Sequence, residues 1–241
     1  VGEALTIRSE VMRSYEEMCR QGNQDKLDIA IVGGGPTGVE MAGAFAELVR
    51  GPLHSDYAEA ADRVRVSIIE AGPRLVPSFS ESLSSKTQKD LEKLGVKVLT
   101  NTSVKEVLPD SILTLDGNSI PADTTVWAAG VKGVPAMEQL HLPITRGRID
   151  VSSTLQVTGY ENVWAIGDIA GVVGADGVPL PMVAPVAMQQ GRFLAKQIQS
   201  LITAKPLSNF KYKDKGSMAT IGRHKAIVEV KGIRISGPIA W

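Results

Sequence analysis

The chain has 241 residues, 43% of them hydrophobic, with 26 basic and 26 acidic side chains, so its formal net charge is +0. That is apolar material for one large core or two modest ones in an ordinary globular chain. No apolar run is long enough for a membrane-spanning helix, 5% aromatic content without a basic stripe argues against nucleic-acid binding, and the lone Cys19 excludes an internal disulfide or a CxxC redox pair.

In chain order, Glu3–Cys19 carries Leu5, Val11, Tyr15 and Met18 at helical spacing, and Gln21–Lys26 breaks the pattern. Leu27–Val32 (LDIAIV) is a continuous apolar run of the kind found in parallel strands covered on both faces; it ends in three glycines and is followed by a helix. Val64–Glu70 supplies a second strand. A helix over 80–95 places Leu83, Thr87, Leu91 and Leu94 on one face and closes at Gly95; VKVLT makes a third strand. This β-α-β-α-β order predicts an α/β, Rossmann-like, doubly wound parallel sheet. Turns at Pro109-Asp110 and Asp116-Gly117 then predict an antiparallel ribbon feeding a returning strand, TTVW. Segments 147–157 and 161–171 read as strands, and 183–202 reads as a helix with Val186, Gln190, Phe193, Leu194 and Ile198 on one face. Residues 210–232 lack a helical period and read as two or three strands. Trp127, Trp164 and Trp241 sit in apolar, strand-like surroundings that suit packing. The stretch Lys211–Trp241 holds seven basic residues against two acidic ones, which suits an anionic lipid or ligand and equally a solvated face.

Gly33, Gly35 and Gly38 form GxGxxG between a strand and a helix. The first glycine permits a tight turn, the second lets a diphosphate approach the backbone, and the third lets the helix lie close on the strand. The helix N-terminus adds amide donors and positive partial charge. Pro36 and Thr37 complete the turn. Glu70, at the end of the second strand, fits the acidic residue that binds a ribose 2′-hydroxyl and repels a 2′-phosphate, which favours NADH over NADPH. It follows Gly38 by 32 residues where about 20 is usual, an excess assigned to an extended helix and loop through 50–63. A structural turn and a surface glutamate are the plain alternatives.

TTVWAAGV, followed by ENVWAIGDIAG, resembles the distal half of two-dinucleotide-domain flavoproteins. The resemblance implies cofactor contacts at Ala129, Gly130, Gly167 and Asp168, the aspartate on the ribitol of FAD. Together with VAPVAMQQGRFLAKQI and FKYKDKGSMATIGRHKAIV, the chain resembles the type II NADH:quinone oxidoreductases, within the pyridine nucleotide-disulphide oxidoreductase superfamily. The family's glutamate after GxGxTG corresponds to Glu40, near nicotinamide and quinone. On the first helical turn its carboxylate is stabilised by the helix dipole, while partial burial would favour proton exchange. A helix-start glutamate without chemistry is the alternative. The family's AQxAxQ maps onto 184–189 with Pro185 in place of the first glutamine, leaving Gln189 as the matched donor to a quinone carbonyl; a capping glutamine is the alternative.

The resemblance further implies FAD and NAD(H) as cofactors, and NADH and quinone as partners. The full-length protein would sit peripherally on the cytoplasmic face of the inner membrane, with this chain a soluble fragment, itself inactive, lacking the N-terminal FAD motif and the C-terminal anchor. Exposed strand edges would then favour a homodimer. The expected organisation is a linking helix and turn over 1–26, an NADH-binding domain over 27–131 and the distal part of an FAD-binding domain over 132–241. Rival functions are a flavin-dependent reductase with ferredoxin, peroxide or another soluble acceptor, and a non-catalytic NADH-sensing module.

Overall fold

Strand β1 (Leu27–Val32) is buried along almost its whole length because both its faces are covered. In the computed structural model, which describes residues 2–21, 26–131, 133, 135–174 and 177–241, it lies between β2 (Val64–Ile69) and β7 (Thr124–Trp127), parallel to both. Strand β3 (Lys97–Leu99) extends the sheet beyond β2 in the order β3-β2-β1-β7. The two-residue period of β1 separates its side chains. Ile29 and Ile31 join Val39, Ala42, Phe45 and Ala46 of α2 (Pro36–Leu48) and Leu83 and Leu91 of α5 (Glu81–Lys93). Ala30 and Val32 pack on the other side with Ile69, Ile112, Ala122 and Ile120. That second face is covered by the antiparallel sheet β4 (Val104–Val107), β5 (Ser111–Thr114) and β6 (Ser119–Pro121), so the ribbon takes the place of a second helical layer.

The long path from α2 to β2 is helical: a π turn at Val49–Leu53, then α3 (His54–Asp56) and α4 (Ala58–Ala61). This accounts for the wide spacing from Gly38 to Glu70. Helix α1 (Gly2–Gln21) sends Val11 into the main core and docks Tyr15 and Met18 on Leu27, Leu53, Ala60 and Ala61. The Tyr15 hydroxyl lies between the carbonyls of Leu53 at 2.9 Å and Tyr57 at 3.1 Å; burial first, and Cys19 beside it, push its pKa up to about 12. Leu5, expected on the buried face, is 55% exposed because Ile7, one turn before Val11, takes the place on the core-facing side of α1. The expected break at Gln21–Lys26 falls mainly on residues 22–25, outside the described residues.

Residues 1–130 and 216–241 form one compact unit and 131–215 another. Lys132 itself lies outside the described residues. The terminal strands β10 (Ser217–Thr220), β11 (Ala226–Val230) and β12 (Ile233–Gly237) form an antiparallel sheet whose Ala219, Ile221 and Ile227 enter the main core. Polar ties reinforce this. Glu229 accepts the Ser80 amide at 2.8 Å at the start of α5, and Lys225 reaches Asp90 at 3.0 Å. Asp90 is buried, which works against its charge, yet Lys86 at 2.5 Å and Lys225 together hold its carboxyl below the ordinary range.

Among the described residues of the second unit, β8 (Ile144–Thr145) and β9 (Arg148–Ile149) form a hairpin; the remaining strands expected in 147–171 are isolated bridges such as Gln156 to Trp164. Helix α6 (Ala184–Ile202) buries Val186, Gln190 and Gln197 and leaves Ile198 exposed, contrary to the expected face. Gln197 clamps Ser208, donating to its carbonyl at 2.8 Å and accepting from its amide at 3.1 Å. Trp164 packs as expected, whereas Trp127 and Trp241 are 59% and 63% exposed, since both stand at the ends of their segments. Among the described residues no helix is long and apolar enough to cross a membrane.

Candidate functional site

The turn after β1 is shaped by what its glycines exclude. Gly33 has φ +111°, and a Cβ there would stand 2.6 Å from the Ala128 carbonyl oxygen. A Cβ on Gly38 would collide with the Gly33 carbonyl, so only glycine lets α2 start this close to the strand. Gly35 is different: nothing lies within 4 Å of its missing side chain. It is the N-cap of α2, has no side-chain cap and is followed by Pro36 at the first helical position. The amides at this helix start therefore face an open backbone surface, the condition for receiving an anionic diphosphate.

Glu70 is joined to that turn directly. Its Oε2 accepts the Gly34 amide at 2.6 Å and its Oε1 the Gly72 amide at 2.6 Å. Each carboxylate oxygen has two acceptor positions, so one on each is left for a diol. Ala129 and Gly130 follow β7, where the Ala128 amide bonds to Val32 at 2.7 Å; both are exposed, and Gly130 has φ +116°. Gly33, Gly34, Gly35, Pro36, Thr37, Gly38, Glu70, Ala129 and Gly130 thus gather at the carboxyl ends of β1, β2 and β7, the edge of an open parallel sheet where ligands bind.

Glu40 is the fifth residue of α2 and exposed, not on the first turn and not partly buried. Its Oε1 accepts from the Thr220 amide at 3.2 Å and the Thr220 hydroxyl at 3.3 Å. Farther along α2, Glu47 accepts the Arg223 amide at 2.6 Å. The two carboxylates line a cleft of about 640 Å³ with Arg50, Thr220, Arg223 and His224. Thr220 was invisible to local pattern because it lies 180 residues from its partner.

In the second unit, Gly167–Ile169 is a 3-10 turn with Gly167 at φ +76° and Asp168 exposed. Gln189 is occupied by backbone: it donates to the Lys213 carbonyl and accepts the Lys213 amide, both at 3.0 Å, which leaves one Nε2 hydrogen. The neighbouring Gln190 is fully buried and accepts the Gly167 amide at 2.6 Å, while its Nε2 is buried without a hydrogen-bond partner. Its place between Val186 and Phe193 on the inward face of α6 was the available signal. Arg148, also buried, donates to the Leu180 carbonyl at 2.9 Å and to the Ala170 carbonyl.

Residues 3–191 match the family described as pyridine nucleotide-disulphide oxidoreductase. The chain belongs to that family. Among curated members of related sequence, the type II NADH:quinone oxidoreductase of Haemophilus influenzae is 36% identical over 85% of this chain and 47% of its own length. The enzyme of that name from Mycobacterium tuberculosis is 33% identical over 100% of this chain and 55% of its own. The chain therefore spans about half the length of the curated relatives it matches. NDH2 of Plasmodium falciparum, solved with NADH, superposes with a TM-score of 0.88 at 21% identity, over 98% of this chain and 65% of that one. This likeness establishes the pyridine nucleotide-disulphide oxidoreductase fold.

Proposed function

We propose that this chain carries the NADH-binding module and part of the flavin site of a non-proton-pumping NADH:quinone oxidoreductase. The observation that carries the reading is the open backbone at Gly35 beside a carboxylate already fixed by the Gly34 and Gly72 amides, in a chain whose relatives are named for NADH and quinone. The residues fit the dinucleotide: Gly35 leaves open the space that a side chain would fill, Gly38 lets α2 start close on the strand, the α2 amides receive the diphosphate, and Glu70 receives the adenosine ribose. They also fit a flavin, through the positive-φ Gly167, the exposed Asp168 and the unpartnered Gln190 nitrogen. FAD, when bound, supplies the hydride acceptor and the electron donor that amino-acid side chains lack.

The chain's own groups bind and orient. Backbone amides hold the diphosphate, Glu70 selects an unphosphorylated ribose, and Ala129 and Gly130 present a surface without side-chain bulk on which the nicotinamide half can lie. Glu40, held by Thr220, gives or takes a proton at its free Oε2 as quinone is reduced, and the remaining Gln189 hydrogen donates to a quinone carbonyl. The full-length protein works at a membrane surface, where quinone resides.

The reading is tested with full-length protein, FAD, NADH and a short-chain quinone. Quinone-dependent NADH oxidation is expected; tight binding of FAD and NADH with oxidation only by a soluble acceptor would remove quinone from the proposal.

A further inference from the structure

The turn that carries Asp168 is gripped from behind by two buried side chains. At its first residue the Gln190 carboxamide oxygen takes the Gly167 amide at 2.6 Å. Just past its last residue Arg148 holds the Ala170 carbonyl, and the Ala170 amide closes the turn on the Gly167 carbonyl at 3.1 Å. Gly167 has φ +76°, and glycine enters positive and negative φ about equally readily, so the grip decides which way Asp168 leaves the turn. Burial pushes the Arg148 guanidinium pKa down and the Asp168 charge opposes this, as expected for a cation backing an exposed carboxylate. Gln190 is 0% exposed, and a buried amide nitrogen without a partner is costly and rare. An apolar residue would pack the same face of α6 without that cost, so packing alone does not explain the glutamine.

We propose that Gln190 is a positioning residue of the flavin site: its oxygen fixes the Gly167 amide and thereby aims Asp168 at the ribitol of FAD. The inference rests on the flavin reading above. The side chain reaches the cofactor through the turn, and its role is separate from that of Gln189, which is committed to Lys213 on a neighbouring face.

The test uses full-length protein and FAD titration followed by flavin fluorescence and visible circular dichroism, with amide exchange at Gly167 measured without flavin. Gln190→Met, of similar length, should weaken FAD at least about tenfold, change the flavin dichroism and speed Gly167 exchange, while NADH affinity stays unchanged. Val186→Ala, a buried change on the same helix, should lower stability without any of these effects. If the methionine variant does not fold, Gln190→Glu keeps an acceptor for Gly167; a protected amide with near-normal FAD affinity is then expected, and a protected amide with lost affinity overturns the proposal. Undiminished FAD binding by Gln190→Met, or equal weakening by Val186→Ala, overturns the proposal alone. A wild-type protein that binds no FAD overturns it together with the flavin reading.

Discussion

The carboxylate of Glu70 accepts the Gly34 amide at 2.6 Å, so the acidic strand end and the glycine turn are one hydrogen-bonded unit. With Glu70 as the proposed ribose ligand, a change at this carboxylate acts on both the nucleotide and the turn. Glu70→Ala should lower NADH affinity by about tenfold to a hundredfold through lost charged hydrogen bonds, and lower NADPH affinity less. Calorimetric titration of both nucleotides checks this; an unchanged NADH-to-NADPH ratio would show that the carboxylate does not read the 2′ position.

Gly38→Ala should remove dinucleotide binding by a different route. The new methyl meets the Gly33 carbonyl, which neither α2 nor β1 can yield without breaking the sheet. A loss of stability on the order of 2 kcal/mol or more is expected in urea denaturation, as for other overpacked sites. Gly35→Ala faces open space and should keep the fold while weakening the nucleotide.

Glu40 is exposed on the second turn of α2, where its carboxylate meets Thr220, and the proposed proton role is tested by substitution. Glu40→Gln should slow quinone reduction on the order of a hundredfold while NADH dissociation constants stay the same. Thr220→Val, which removes the hydroxyl donor but keeps the strand amide, should give a smaller effect of the same sign in a steady-state pH profile. Equal turnover across pH in both variants would retire the proton assignment.

Asp90 provides an acid-sensitive tie between α5 and the terminal sheet. Its folded pKa lies below the unfolded one, so its contribution is full above about 3.9 and is lost as pH falls through the lower folded value. Asp90→Asn should cost about 1–3 kcal/mol at pH 7 and flatten the acid limb of a stability curve measured between pH 2 and 6. A variant as stable as wild type at pH 7 would mean that Lys86 and Lys225 contribute nothing through Asp90.

The amino-acid order by itself determined β1, the glycine turn, α5 with its Gly95 stop, and the place of Glu70, because each depends on periodicity or on backbone conformations within a few neighbouring residues. It also marked the 50–63 stretch as the cause of the wide spacing to Glu70. Only the tertiary structure decided that residues 216–241 pack with the dinucleotide unit, that Thr220 holds Glu40 and that Gln190, not Gln189, grips the Gly167 turn. These contacts join residues 23 to 180 positions apart, and no local pattern encodes which distant amide a carboxylate or carboxamide will meet. That choice is made by shared burial in the core, where unpaired polar groups are costly and the packed chain leaves few partners within reach.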